Sequence, residues 1–200
     1  MAKANWVKVN PTSYAGDAIV NVSSEKPHTG RTARHSTLTW KAANVEDVVR
    51  NVSQAGKPEY VDIDDNAAAG KDGKKVTIAG KSNSARLTFS LGSGDLAISL
   101  PATYIANSVT TNNGTAISGD PGASQEYDFS ITIDVPANDS MSAQSRQIIV
   151  SDGAGHQDVC LLMLAAGDAY IKISTSLIEL GWEGNAVSVA VESNTQWTVE

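Results

Sequence analysis

The sequence has few of the features that mark secreted, membrane-bound or disulfide-bonded proteins. A single cysteine, Cys160, excludes a disulfide within the chain, and its place in the apolar run 159–164 predicts a buried small side chain. The apolar runs are far shorter than the ~20 residues that a membrane-spanning helix needs, so we predict no membrane contact. The first nine residues contain no apolar segment of the kind that a signal peptide requires.

Patterns that carry chemistry are also missing. The three histidines show no ligand spacing with each other or with Cys160, and the glycines show no phosphate-binding spacing. Serine, histidine and aspartate occur in no nucleophile elbow or catalytic order. The four aspartates between residues 62 and 72 lack the central glycine and final glutamate of an EF-hand calcium loop. We therefore predict a protein that is not an enzyme and has no catalytic residue, metal site or cofactor.

Charge is spread unevenly along the chain. The net charge is −7, but residues 1–57 hold eight basic and four acidic side chains, a local charge of +4. Residues 169–200 hold Lys172 against four glutamates, a local charge of −3. The basic residues are not interleaved with aromatic ones, so we predict no nucleic-acid partner. Ends of opposite charge attract each other, within one molecule or between two.

The dominant pattern is alternation of apolar and polar residues. Its clearest example is the apolar series Tyr127, Phe129, Ile131, Ile133 and Val135, with polar residues between them. Such a period of two is typical of a half-buried strand. Similar series occur at residues 18–22, 76–78, 87–91, 96–100, 171–173 and 187–191, and clusters of Gly, Asn, Asp, Ser and Pro separate them. The pattern predicts an all-β chain built from immunoglobulin-like sandwiches.

The chain repeats itself at intervals of about 110 residues, close to the length of one such sandwich. Residues 52–63 resemble 162–173, and 81–88 resemble 192–198. The repeat predicts a complete sandwich over 58–168. Residues 1–57 then correspond to the later strands of a second sandwich, and 169–200 to its opening strands. Asn5-Trp6-Val7 resembles the segment around Trp197, so we expect the two tryptophans to occupy equivalent core positions.

The chain resembles the BACON domain, an immunoglobulin-like module associated with Bacteroidota. The resembling residues, in module order, are Ser193-Asn194 with Trp197, then Trp6-Val7 with Val9, Pro11 and Ser13, then Gly16-Asp17, the strand 20–22, Arg31 or Arg34, and the closing Gln54-Ala55-Gly56. The middle unit departs from the pattern, with Arg86 in place of the tryptophan and Ala165-Ala166-Gly167 in place of Gln-Ala-Gly.

The resemblance implies one of two roles. Modules of this family occur in virion proteins of crAss-like and other phages of Bacteroidota, and as spacers in secreted or surface proteins of glycan utilisation. Because no signal peptide is visible, we expect a virion component: a capsid decoration, head-fibre or tail protein. Its partners are then further copies of the chain or other virion proteins. The alternative is a secreted or cell-surface module that binds carbohydrate or acts as a spacer.

Five residues are candidates for contact with a glycan or a protein partner. Trp40 and Trp182 offer aromatic faces on which a sugar could stack. Asn112, Asn113 and Asp120 lie in the polar segment 101–125, which is long for a sandwich connection, and long ordered loops often carry function. The other interpretation of this segment is an elaborated edge hairpin.

The divided sandwich leaves three arrangements open. In the first, residues 169–200 complete the 1–57 unit of a neighbouring copy, which gives a ring or a filament. In the second, they fold back onto residues 1–57 of the same chain. In the third, the sequence is trimmed from a longer one. An unpaired sheet edge and a two-stranded sheet are both unfavourable alone, which favours joining the two fragments. The two ends of a tandem sandwich usually lie far apart, so residues 58–168 would separate the fragments of one chain, and we expect exchange between neighbours.

Overall fold

Residues 3–200, which the computed structural model describes, form β-strands and a single 3₁₀ turn at Pro121–Ala123. The strands are β1 Val7–Asn10, β2 Asn21–Ser24, β3 Arg34–Trp40, β4 Val48–Gln54, β5 Val61–Ile63, β6 Asn66–Ala69, β7 Lys74–Ser82, β8 Thr88–Gly94, β9 Thr103–Ala106, β10 Val109–Asn112, β11 Tyr127–Val135, β12 Gln144–Ser151, β13 Gln157–Leu164, β14 Ile171–Ile173 and β15 Val191–Ser193. The predicted all-β class is confirmed. Over this part of the chain, no helix is long and apolar enough to cross a membrane.

Residues 58–168, called the central unit below, contain two sheets over one core. The first sheet has the strand order β10-β9-β11-β7-β5, and the second has the order β6-β13-β12-β8. Neighbouring strands are antiparallel except β6 and β13, which run parallel. The core draws buried side chains from both sheets, among them Ile78 and Phe129 from the first and Ile148 and Leu162 from the second.

The alternation of apolar residues identifies the core correctly. All seven residues expected to be buried together belong to one cluster: Leu87, Phe89, Phe129, Ile131, Ile133, Ile148 and Val150. The Phe129 side chain is 2% exposed, and its ring meets that of Phe89 edge-on, with centroids 5.9 Å apart. Edge-to-face contacts of this kind are favourable beyond the area they bury.

The segment 101–125 extends the first sheet. Strands β9 and β10 form a hairpin whose turn places Asn107 and Ser108 at positive φ, and β9 pairs with β11. Asn113 then fixes the returning chain: its amide accepts a hydrogen bond from the Phe89 N–H at 2.8 Å and donates one to the Phe89 carbonyl at 3.0 Å. An elaborated edge hairpin therefore describes the first half of this segment.

Residues 3–57, the N-terminal unit, form only two strand pairs, β1 with β2 and β3 with β4. Its buried apolar residues are Val7 and Leu38. Residues 169–200, the C-terminal hairpin, form the single pair β14 with β15. The strand predicted over 187–191 is wrong in extent, since β15 begins at Val191. The Ala190 carbonyl still accepts the Ser174 N–H at 3.0 Å, whereas residues 187–189 pair with no strand in the described part of the chain.

The two outer parts contact opposite ends of the central unit. Strand β7 runs from Lys74 to Ser82, and β11 lies antiparallel beside it, with Tyr127 opposite Ser82. The N-terminal unit contacts the Ser82 end through Asn83, and the C-terminal hairpin contacts the other end through Asp139. Eight steps of about 3.3 Å along β7 put these ends roughly 26 Å apart. Among the residues described, no strand pairing, ion pair or hydrogen bond joins 169–200 to 3–57.

We expect Phe129→Ala to lower the free energy of unfolding by about 3–5 kcal/mol, because it removes a buried ring from the centre of the core. Chemical denaturation of the full chain measures the change. Ile105→Ala is the matched control, because Ile105 is 48% exposed on strand β9. An equal loss in both variants would contradict this assignment of the core.

Candidate interaction surfaces

The C-terminal hairpin repeats the first hairpin of the central unit in detail. Strand β14 pairs with β15 so that Ile171 lies opposite Ser193. Strand β5 pairs with β7 in the same way, with Val61 opposite Ser82. Residues 171–173 and 191–193 thus correspond to 61–63 and 80–82. The repeat seen in the sequence is therefore a repeat of strand register.

A serine and an asparagine close each hairpin with the same hydrogen bonds. The Ser82 hydroxyl donates to the Tyr60 carbonyl at 2.6 Å, and Asn83 accepts from the Tyr60 N–H at 3.0 Å. The corresponding bonds of Ser193 and Asn194 to Tyr170 measure 2.9 Å each.

Both asparagines also bind the unit that precedes them. The Asn83 amide donates to the Thr29 and Lys57 carbonyls, at 3.2 and 3.3 Å. The Asn194 amide donates to the Asp139 and Asp168 carbonyls, each at 2.8 Å. Each asparagine therefore ties a new hairpin to a loop of the previous unit. The sequence comparison found the repeated Ser-Asn pair but did not predict this clamp.

The first junction carries further contacts. The Arg31 guanidinium forms an ion pair with the Asp120 carboxylate and donates to the Asn83 carbonyl at 2.9 Å. Asp120 raises the pKa of Arg31, mainly through this hydrogen bond, so the guanidinium stays protonated. Thr29 accepts the Glu126 N–H at 3.1 Å. The second half of the segment 101–125 thus lies against the N-terminal unit.

Glycines in the repeated Ala-Gly motif permit both junctions. A Cβ on Gly56 would collide with the Arg31 carbonyl, and one on Gly167 would collide with the Asn138 carbonyl. Backbone passes so close to each glycine that no larger residue fits there. This contact accounts for the Ala-Gly ending that both halves of the repeat share.

The two hairpins differ in what covers them. In the central unit, Ile63, Val76 and Ile78 are at most 7% exposed, because β11 and the second sheet cover them. Their counterparts in the C-terminal hairpin are Ile173, Val187 and Val189. Ile173 and Val187 are 48% and 49% exposed, and Val189 is half-buried. An apolar face that is core in one unit is open to solvent in the other.

The segment between the strands of the C-terminal hairpin is exposed in the same way. Ile178 and Leu180 are 51% and 67% exposed. By their distance from Val187 they correspond to Ala67 and Ala69 of β6, which pairs with β13 in the central unit. The C-terminal hairpin therefore holds the counterparts of β5, β6 and β7, without the strands that these contact.

The N-terminal unit supplies the opposite half. Strand β3 pairs with β4 as β12 pairs with β13, with Arg34 opposite Gln54 and Gln144 opposite Leu164. Leu38 thereby corresponds to the fully buried Ile148. Within residues 3–57, no strand stands where β5, β6 and β7 stand in the central unit.

An open groove of about 650 Å³ marks that place, and we call it the N-terminal groove. Its lining includes the apolar residues Val9, Val20 and Leu38 and the aromatic residues Tyr14 and Trp40. Lys3 and Lys41 also line it, and the lining contains no carboxylate, imidazole or thiol. The Lys41 ammonium is paired with the Asp47 carboxylate at 2.9 Å, so the groove combines apolar residues with the charge of Lys3.

The position of β1 in the structure differs from the one implied by the predicted equivalence of Trp6 and Trp197. Val7 lies opposite Ser24 at the end of β2. Arg34 is the first residue of β3, and its guanidinium lies 4.6 Å from the centre of the Trp6 ring. In the central unit, Asp95 and Leu96 hold the corresponding position beside the start of β12: the Asp95 carboxylate accepts the Ser145 N–H at 2.8 Å, and the Leu96 N–H donates to the Ser145 carbonyl at 2.9 Å. Val7 and Leu96 are both fully buried, in agreement with this match.

The predicted equivalence of Trp6 and Trp197 is therefore wrong. Trp197 follows the clamp Asn194 and corresponds to Arg86, whereas Trp6 corresponds to Asp95, nine residues later. Trp197 is also 46% exposed, because no second sheet covers the hairpin. In this register, residue 200 corresponds to Phe89 and residue 3 to Gly92. Residues 169–200 and 3–57 therefore correspond to different parts of the central unit and do not overlap.

The five predicted contact residues lie on three different parts of the chain. Trp40 is 40% exposed and lines the N-terminal groove, and Trp182 is 95% exposed in the C-terminal hairpin. Asn112 is exposed at the end of β10. Asn113 binds Phe89 and Asp120 binds Arg31, so both have structural partners. The structure does not bring the five together, and their contact with a glycan or partner stays a prediction.

Other polar groups of the central unit stabilise its backbone. The Asp64 and Asp158 carboxylates accept the N–H groups of Ala79 and Ile63 at 3.0 and 2.8 Å. Cys160 is buried, and desolvation raises the pKa of its thiol to about 11. Across residues 3–200, no three His, Cys, Asp or Glu side chains form a group that could hold a metal ion.

Comparison with known proteins gives only distant similarity. No protein-family profile matches the chain, and no curated protein matches it. It is similar to a Bacteroides thetaiotaomicron protein solved by NMR, at 12% identity and a TM-score of 0.29 over 56% of this chain and 89% of that one. It is also similar to an endo-fucoidan hydrolase of glycoside hydrolase family 107, at 10% identity and a TM-score of 0.34 over 83% of this chain and 22% of that one.

We expect Asn83→Ala to destabilise the full chain by about 1–3 kcal/mol, because it removes the fully buried amide that donates to carbonyls of the first junction. Thermal unfolding and limited proteolysis at residues 29–31 measure the effect. Asn112→Ala is the control, since the Asn112 side chain makes no hydrogen bond within residues 3–200. An unchanged protease pattern in Asn83→Ala would refute the clamp.

Proposed function

We propose that this protein is a non-enzymatic structural component of a phage virion, in which copies join by strand complementation. The observation that carries the proposal is the pair of unfinished halves: an open apolar groove on the N-terminal unit and an exposed apolar hairpin at residues 169–200. The resemblance to BACON-like modules supports the virion as the place of assembly.

Physical chemistry favours joining the two halves. Burial of apolar surface lowers the free energy by about 25 cal/mol for each Å² removed from water. A two-stranded sheet is marginal alone, and an open sheet edge readily accepts another strand. Strand addition buries both apolar faces and pairs both edges in one step.

The absence of catalysis is part of the proposal, and the groove lining supports it. General acid–base and nucleophilic catalysis need a carboxylate, imidazole, thiol or activated hydroxyl near the substrate. The N-terminal groove offers lysines and hydroxyl groups but no base to activate them. The His156 and Asp152 side chains bind each other at 2.6 Å in a turn after β12, away from the groove.

A second candidate function is carbohydrate binding in the same groove. Tyr14 and Trp40 are 71% and 40% exposed there, beside Thr12, Ser13 and Thr39. Aromatic faces flanked by hydroxyl groups suit a sugar. Occupation by a strand and by a glycan exclude each other, so the two functions can be separated by experiment.

Self-association tests the first function. We expect the mass of the full chain to rise with protein concentration in sedimentation or native mass spectrometry. A chain ending at residue 168 should remain a single species, because it has a groove but no hairpin to donate. A full chain that stays monomeric at about 100 µM would refute strand complementation.

Glycan binding tests the second function. If it holds, the full chain should bind a glycan array, and Trp40→Ala should weaken the binding at least about tenfold, since an aromatic platform is lost. Trp182→Ala is the control because Trp182 lies outside the groove. An array without signal, or equal binding by both variants, would exclude the groove as a sugar site.

A further inference from the structure

We infer that the N-terminal groove is filled by residues 171–193 of a second copy, with residues 185–191 antiparallel to residues 16–22 and Ser188 opposite Ile19. The inference rests on the proposed self-association and adds its partner segment, direction and register. The central unit supplies the template, because it contains both halves in one chain.

The template pairing is that of β7 with β11. Ile78 lies opposite Ile131, Thr77 opposite Thr132 and Val76 opposite Ile133. The Thr77 and Thr132 hydroxyls lie 2.9 Å apart on the outer face, so side chains at this pair touch. Ile78 and Ile133 point inward and are fully buried.

The donated strand has a fixed correspondence to β7. Ser193 corresponds to Ser82 through the shared bonds to the preceding tyrosine carbonyl. Counting back along the strand equates Val189 with Ile78, Ser188 with Thr77 and Val187 with Val76. The apolar residues therefore fall on the inner positions.

The receiving segment has a matching correspondence to β11. The sequence Val20-Asn21-Val22 resembles Ile133-Asp134-Val135, which places residues 18–22 where 131–135 lie. Ala18 and Val20 then take the inner positions of Ile131 and Ile133, and both line the groove. Ile19 is 87% exposed, as the outer position of Thr132 requires.

A second contact follows from the parallel pairing of β6 with β13. Ala67 lies opposite Leu162 in the central unit. Ile178 corresponds to Ala67, and Val52 of β4 corresponds to Leu162 by the register of the β3–β4 pair. The donated hairpin thus contacts both sheets of the receiving unit, as β5, β6 and β7 do in the central unit.

Charge and geometry favour a second copy as donor. Residues 169–200 carry −3 and residues 1–57 carry +4, and Lys3 lines the groove. Within one chain, the central unit lies between the N-terminal unit and the C-terminal hairpin. These two parts contact opposite ends of the central unit, which lie roughly 26 Å apart along β7. Because the fragments do not overlap in register, a donated hairpin duplicates no strand of the receiver. The contact is head-to-tail, which builds a filament or a closed ring.

Cysteine pairs test the register directly. In a Cys160→Ala background, chains carrying only Ile19→Cys are mixed with chains carrying only Ser188→Cys. We expect an intermolecular disulfide, because residues directly opposite on antiparallel strands lie within the range that a disulfide spans. Val187→Cys is the mismatched control: a shift of one residue points its side chain to the other face, so we expect cross-linking at least about tenfold slower.

The outcomes separate the register from the proposed function. Two outcomes would overturn the register but not self-association. One is equal cross-linking by Ser188→Cys and Val187→Cys; the other is no cross-linking by Ser188→Cys in chains that still self-associate. No self-association at any concentration overturns both. A second pair of variants covers a failure of the cysteine chains to fold. Val187→Asp should abolish self-association, whereas Thr110→Asp, at an exposed position of β10 outside the proposed contact, should preserve it; equal effects of the two would contradict the inference.

Discussion

The structure depends on one constraint: a β-sheet with an apolar face is stable in water only when a second layer covers that face. The central unit meets the constraint within itself, since Phe129 and Ile78 of one sheet pack against Ile148 and Leu162 of the other. The N-terminal unit and the C-terminal hairpin do not meet it alone. In the C-terminal hairpin, and in part of the N-terminal unit, residues whose counterparts are buried in the central unit are exposed.

The sequence predicts the central core well because burial on one face of a strand imposes a period of two. Phe129, Ile131 and Ile133 show that period without interruption. The register of β1 could not be predicted in the same way. Asn5-Trp6-Val7 resembles the segment at Trp197, but so short a motif does not specify which strand it pairs with. The contacts of Trp6 with Arg34, and of Val7 with Ser24, decide the matter.

The candidate site was predictable in outline only. The repeat in the sequence indicates two half-units, and the charges of residues 1–57 and 169–200 indicate that they attract. The asparagine clamps could not be derived, because Asn83 and Asn194 bind carbonyls more than 50 residues away. Asp120 was selected as a surface contact for its place in a long polar segment. It instead binds Arg31 at the first junction, a pairing 89 residues apart that no local pattern reveals.

Hydrogen–deuterium exchange of the full chain tests the central claim most directly. In a single copy, the amides of residues 186–189 belong to no strand, although their counterparts lie in β7. If copies complete one another, these amides and those of residues 16–20 become protected together as concentration rises and lose protection together on dilution. Fast exchange in both segments at every concentration, or protection that does not change on dilution, would contradict the account.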